Sequence, residues 1–155
     1  MKKILYFLFA LVLVTTIIHG QKQLDNFEQL LESLKKGNEV KVRIHYAKCN
    51  LYIKGEKQKS SPNAIGGMTL DVFEYFAPGS IKNEKGFLAS SKKSFISLNN
   101  DKFVYNYVKI KIYEDSSVEI NAKYLEPNSF KVLMNETFKT VINNGKNRGG
   151  VWLYE

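Results

Sequence analysis

Residues 103–124, FVYNYVKIKIYEDSSVEINAKY, carry the pattern that decides the fold. Val108, Ile110 and Ile112 share one face of the first half, and Val118, Ile120 and Ala122 share one face of the second. Successive side chains of a strand point to opposite sides, so each half has an apolar and a polar face. A two-residue turn at Asp115 and Ser116 would set Lys111 opposite Ile120 and mix those faces. A shift of one residue sets Ile112 opposite Val118 and Lys111 opposite Glu119, and restores both. An odd-numbered loop or a bulge is therefore predicted over Glu114 to Ser117.

The flanking sequence reads as further strands and one helix. Asn26 is a good N-cap, and Phe27, Leu30, Leu31 and Leu34 follow on a single helical stripe. Lys35 and Lys36 occupy the last turn, with Gly37 placed to end it. From Glu39 to Ala47, Val40, Val42, Ile44 and Tyr46 alternate with Lys41, Arg43 and His45, the pattern of a half-buried antiparallel strand. Tyr52 to Asn63 is rich in Lys, Ser and Gly and reads as an exposed loop. Gly66 and Gly67 open a second strand running to Phe76, stopped by Pro78 and Gly79. A strand at Phe87 to Ala89 is expected to continue into Phe95 to Leu98. Phe130 to Ile142 is apolar but ambiguous in period, and Gly149 to Tyr154 reads as a terminal strand. Several antiparallel strands with one short N-terminal helix imply a mainly β (α+β) domain. The expected architecture is a strongly curved sheet or a small barrel, plugged or flanked by the helix.

Upstream of this body, Lys2 and Lys3 precede an unbroken apolar run from Ile4 to Val14 and a short polar tail ending in His19 and Gly20. That is the layout of a secretory signal peptide, and cleavage after Gly20 would leave a single domain over residues 21–155. The formal charge of +8 falls to +6 once Lys2 and Lys3 are removed. The remaining apolar and aromatic content is too high for intrinsic disorder, and no later stretch is long enough to cross a membrane as a helix. The mature chain is thus expected to be secreted or periplasmic, without a stable membrane anchor after cleavage; the rival reading is an uncleaved anchor, which the run approaches if Thr15 to Ile18 are counted. Cys49 is the only cysteine. The fold must therefore stand without an internal disulfide, and the thiol is either buried and inert or exposed and able to pair with another chain.

Candidate chemistry is sparse. His45 is the sole histidine after the leader, and on one extended strand Cys49 would stand about 13 Å from it. A nucleophile needs its base within hydrogen-bond reach, so the pair fails unless the chain folds back between them. Two candidate ligands are too few for a structural zinc site. No calcium loop, Walker loop or G-x-S-x-G elbow is present. Asp71, Glu74, Glu114, Asp115 and Glu119 are the acids from which a hydrolytic carboxylate pair would have to come. Lys85 to Ala89 matches the start of an RNA-binding strand motif for only three positions, and nucleic acid is not expected as a partner. Lys41, Arg43, Lys109 and Lys111 read as one basic face, with Tyr105 and Tyr107 among the lysines, fit for a protein, a glycan or an anionic surface. Asn135, Glu136 and Thr137 form an N-glycosylation sequon on Asn135.

The order of these features resembles the VirK family of small exported proteins. The similarity lies in the leader, the helix of Phe27, Leu30, Leu31 and Leu34 ending in Gly37, the strand from Val40 to Cys49, the pair Gly66 and Gly67, and the hairpin of Phe103 to Tyr124. It implies a secreted or periplasmic protein of unsettled molecular role, associated in some bacteria with virulence, and brings no catalytic residues. Cys49, Gly66 and Gly67 match family positions, the two glycines as backbone pivots. The expected function is an exported, non-enzymatic binding module without a cofactor. A small secreted hydrolase with paired carboxylates and a carrier of apolar ligands are the alternatives.

Overall fold

The computed structural model describes residues 20–98 and 101–155, so the leader expected over residues 1–20 lies, apart from Gly20, outside the described residues. The described elements are β1 (Gln23–Leu24), α1 (Phe27–Lys35), β2 (Lys41–His45), a single 3-10 turn (Tyr46–Lys48), β3 (Asn50–Ile53), β4 (Glu56–Lys57), β5 (Ile65–Thr69), β6 (Phe73–Phe76), β7 (Phe87–Ser97), β8 (Phe103–Tyr113), β9 (Ser117–Leu125), β10 (Val132–Val141) and β11 (Val151–Tyr154). They form a mainly β fold of two antiparallel sheets. The smaller is ordered β1-β11-β2-β5 and the larger β4-β3-β10-β9-β8-β7-β6. The barrel alternative is not realised, because each sheet keeps two free edges.

The hairpin that fixes the larger sheet has the expected register. Ile112 faces Val118 and Lys111 faces Glu119. The loop is three residues, Glu114 to Ser116, with the Ser116 amide donating to the Tyr113 carbonyl at 2.8 Å and Ser116 itself left-handed at φ 62°. A type I turn followed by one left-handed residue keeps the twist of the flanking strands. Glu119 nevertheless pairs with Lys139 of β10 at 3.6 Å, while the Lys111 ammonium lies 4.9 Å over the Phe87 ring.

Inward-facing Ile110, Ile112, Val118, Ile120 and Phe138 of the larger sheet meet Val42, Ile44, Val151 and Leu153 of the smaller in one buried cluster. α1 closes one end of this sandwich. Asn26 accepts from the Gln29 amide as N-cap, and Phe27, Leu30 and Leu34 are buried. The Phe27 amide donates to the Ser116 hydroxyl at 3.1 Å, which ties the helix start to the hairpin turn. Gly37 follows the helix at φ 81°, a conformation that costs glycine little. Glu155 fastens the same end: its carboxylate accepts from Lys22 at 2.6 Å, from Asn38 at 3.2 Å, and from the Ser33 hydroxyl.

Three local expectations give way. Part of the segment Tyr52 to Asn63, expected as loop, is the β3–β4 hairpin, turned by Lys54 and Gly55 at φ 52° and 85°; two left-handed residues in succession are the preferred tight hairpin turn. The strand expected from Gly66 to Phe76 divides, with β5 in the smaller sheet and β6 in the larger. Leu70 at the break is buried, and its amide still bonds the Val40 carbonyl at 2.9 Å. Gly66 and Gly67 are not pivots, since neither has a positive φ. They are needed for close approach: a Cβ on Gly66 would sit 3.0 Å from the Tyr46 ring, and one on Gly67 3.0 Å from the Val42 carbonyl oxygen.

Ile120→Ala is expected to lower stability by about 3 kcal/mol through cavity formation, and Asn26→Ala by about 1 kcal/mol through loss of the cap; urea-unfolding midpoints check both. Acid should also weaken the fold. Lys85 first, and then Ser117, hold the Asp115 carboxyl down from 3.8 to about 2, and Lys22 and then Ser33 hold Glu155 down from 4.5 to about 2. Both groups are depressed on folding, so their stabilisation is complete above the ordinary carboxylate range and is lost as pH falls toward about 2. The double variant Asp115→Asn, Glu155→Gln should show a flatter decline of melting temperature over that interval than the parent.

Candidate functional site

The residues expected to make one basic face divide between two. Lys41 and Arg43 lie on the outer side of β2 in the smaller sheet, where Arg43 stacks over Trp152 at 5.4 Å and over Tyr154 at 5.0 Å. Tyr105, Tyr107, Lys109 and Lys111 lie on the outer side of β8 in the larger sheet. The apolar core sits between the sheets, so the two outer sides look away from each other. Alternation told which side of its own strand each residue takes, and carried no information on which sheet the strand joins.

The outer side of the larger sheet holds the more unusual surface. β7 and β8 have 11 residues each and β2 and β5 have 5, which corresponds to about 36 Å against about 17 Å. The smaller sheet is therefore too short to cover the larger one along its whole length: from the end nearest α1 it reaches as far as Asn106 and Tyr124, which line one groove with Ile65 and Gly66, and the strands run on beyond it. At that open end the outer side carries Phe95, Phe103 and Phe130, each about half exposed (57%, 49% and 56%). Phe95 stacks on Phe103 at 5.3 Å and packs on Tyr105 at 5.4 Å, and Tyr105 stacks on Phe130 at 5.9 Å. The Lys93 ammonium lies 4.5 Å over the Tyr105 ring. A bulge in β10 between Val132 and Met134 adds exposed Val132 and Leu133 to the same end, as bulges do when they re-aim side chains.

Phe130 is held there at a cost. Its φ is 56°, a left-handed conformation worth roughly 1–2 kcal/mol against a residue other than glycine. The loop fixes it by hydrogen bonds: the Phe130 amide donates to the Glu126 carbonyl at 2.9 Å, and the Glu126 carboxylate accepts from the Ser129 amide at 2.6 Å and the Asn128 amide at 3.0 Å. Those bonds, the Ser129 hydroxyl foremost, keep the Glu126 carboxyl below its usual range. Strain kept for an exposed ring is typical of a working surface. Across β7 to β10, the lysines sharing this outer side are Lys93, Lys109, Lys111, Lys123 and Lys139, and the acid among them is Glu119.

The inner side of the open end is a groove of about 420 Å³ lined by Tyr46, Ile65, Gly66, Asn106, Val108, Tyr124, Met134, Glu136 and Phe138 among others. The Tyr46 and Phe138 rings pack at 4.7 Å.

The family model for VirK protein matches residues 23–130. The chain belongs to the VirK family. The crystal structure of a VirK family protein from Legionella pneumophila has the same fold, with a TM-score of 0.65 at 15% identity, over 86% of this chain and 98% of that one. No curated protein matches the chain.

In this VirK chain the segment between His45 and Cys49 does fold back, through the 3-10 turn. It brings the Cys49 thiol 3.4 Å from the backbone carbonyl of His45, to which it donates. The imidazole points elsewhere and packs on Trp152 at 4.5 Å, with its pKa lowered first by desolvation and then by Arg43 and Lys48. Cys49 is buried, and burial raises its pKa. Of the five acids, Asp71 pairs with Lys92 at 3.0 Å, Asp115 with Lys85 at 2.6 Å, and Glu119 with Lys139. Asn135 is exposed on the outer side, where its carbonyl accepts from the Asn121 amide at 3.0 Å. Among the described residues, no group of three or more His, Cys, Asp or Glu is placed to hold a metal ion.

The thiol of Cys49 is walled by backbone, since a Cβ on Gly150 would lie 2.7 Å from its sulfur. Native protein is therefore expected to react with a maleimide at least about a hundredfold more slowly than protein in denaturant. Mass spectrometry of timed labelling checks this, and equal rates would place the thiol at the surface.

Proposed function

We propose that this VirK family chain is an exported, non-enzymatic binding module that docks on an anionic lipid surface through the open end of its larger sheet. One observation carries the reading: four packed rings, Phe95, Phe103, Tyr105 and Phe130, three of them phenylalanines about half in solvent, continue into a sheet side rich in lysine. Contiguous exposed apolar surface marks protein or membrane contact. Lysine decides between them, because it is depleted at protein–protein interfaces and is the residue that extends a charged head along apolar surface toward anionic head groups. Each lysine near such a surface contributes about 1 kcal/mol, and each phenylalanine taken out of water roughly 1.5–3 kcal/mol. Export is supported by the cationic and apolar sequence of residues 2–14 and the small residue Gly20.

Sedimentation with lipid vesicles tests the proposal. The mature chain should bind vesicles containing phosphatidylglycerol, bind phosphatidylcholine vesicles at least about tenfold more weakly, and lose affinity as salt rises. Phe130→Gly separates function from folding. Glycine relieves the left-handed strain, so stability should hold or rise by about 1 kcal/mol while vesicle affinity falls about tenfold, close to the contribution of one aromatic ring. Equal binding to both vesicle types, or binding unaffected by Phe130→Gly, would refute the reading.

A further inference from the structure

We propose that the groove on the inner side of the open end binds a small organic ammonium ion, with Glu136 as its counter-ion and the rings of Tyr46 and Tyr124 as its walls. The inference does not depend on the outer surface, which lies across the sheet from the groove.

Charge is the first argument. Glu136 projects inward from β10, its neighbours across the strands being Ala122 of β9 and Ile53 of β3. The chain carries 23 lysines and arginines against 15 acids, and Glu119, the other acid of β7 to β10, is paired with Lys139. The Glu136 carboxylate makes no ion pair or hydrogen bond with the described residues. A half-buried carboxylate without a partner lowers its free energy most by gaining a cation.

The lining is the second argument. Tyr46, Tyr124, Phe138 and Met134 supply aromatic faces and a thioether around that carboxylate. An ammonium over an aromatic face gains about 0.5–1 kcal/mol when exposed and about 2 when desolvated, and alkylated ammonium ions gain most because they shed water easily. Tyr46 titrates above its ordinary range, because it is buried first, and then because Cys49, Tyr124 and Glu136 lie near it. Tyr46, Tyr124 and Glu136 line the one groove.

The walls are fixed, which is the third argument. Gly66 allows the Tyr46 ring to lie against the β5 backbone, where any Cβ would meet it at 3.0 Å, and Phe138 supports its other side. The opening is of small-molecule size, about 420 Å³.

Calorimetric titration of the mature protein with benzyltrimethylammonium tests this, with phenylacetate and benzyl alcohol as the anionic and neutral comparisons. The ammonium should bind saturably with a dissociation constant below about 10 mM, and the two comparisons at least about tenfold more weakly. Glu136→Gln should weaken ammonium binding about tenfold without moving the melting temperature, since the carboxylate holds no other group. Gly66→Ala should weaken it by pushing the Tyr46 ring into the groove, and Phe130→Gly should leave it unchanged. No saturation, equal affinity for the three probes, or an unchanged constant in Glu136→Gln would overturn the assignment, whatever the vesicle result.

Discussion

One apolar seam holds this molecule together, and it is shorter than the sheet it holds. Val42, Ile44, Val151 and Leu153 meet Ile110, Ile112, Ile120 and Phe138 across the sandwich, and α1 seals the end of that contact with Phe27, Leu30 and Leu34. Burial on this scale, at roughly 25 cal/mol per Å² of apolar surface, is what offsets the ordering of the chain. Beyond the seam, strands twice as long as those of the smaller sheet run on past it, over a groove walled by Tyr46, Ile65 and Gly66. Backbone pairing with neighbouring strands keeps them in place there, so the outer side, with Phe95, Phe103 and Phe130 about half exposed, and the groove on the inner side are open to other molecules.

That division assigns different duties to the two ends. The end near α1 is closed by polar fastenings: the Glu155 carboxylate between Lys22, Ser33 and Asn38, the Asn26 cap, and the Phe27 amide on Ser116. The open end combines backbone strain with exposed aromatic surface. Phe130 stays left-handed where glycine would be free of strain, and exposed rings stack in a row. On the inner side, Glu136 lines the groove beside Tyr46 and Tyr124 with no ion pair among the described residues. A chain selected only for compactness would have little reason to keep these together.

Much of the fold was legible because its strongest signals are local. The alternation over residues 103–124 fixed the hairpin register and its odd loop, and Asn26 with the Phe27 to Leu34 stripe and Gly37 fixed the helix. What escaped depends on long-range pairing. Nothing around Leu70 announces that β5 and β6 part into different sheets, and the lysine-rich composition near Lys54 and Gly55 hid a hairpin whose signal is two left-handed residues. The candidate surface was half visible: Tyr105 and the lysines of β8 stand where alternation put them, whereas Lys41 and Arg43 went to the opposite side of the molecule. Phe95, Phe103 and Phe130 were read as strand or boundary residues, and the break in period at Val132 and Leu133 was the available sign that they gather at one end.

On the proposed reading, the aromatic end of the larger sheet is where this protein meets its partners. Amide hydrogen exchange with and without phosphatidylglycerol vesicles tests it most directly, since it reports protection segment by segment. Vesicles should slow exchange at residues 93–97, 103–107 and 125–133 and leave β1, α1 and β11 unchanged. Protection gained at α1 or over the outer side of β2, with the open end unaltered, would contradict it.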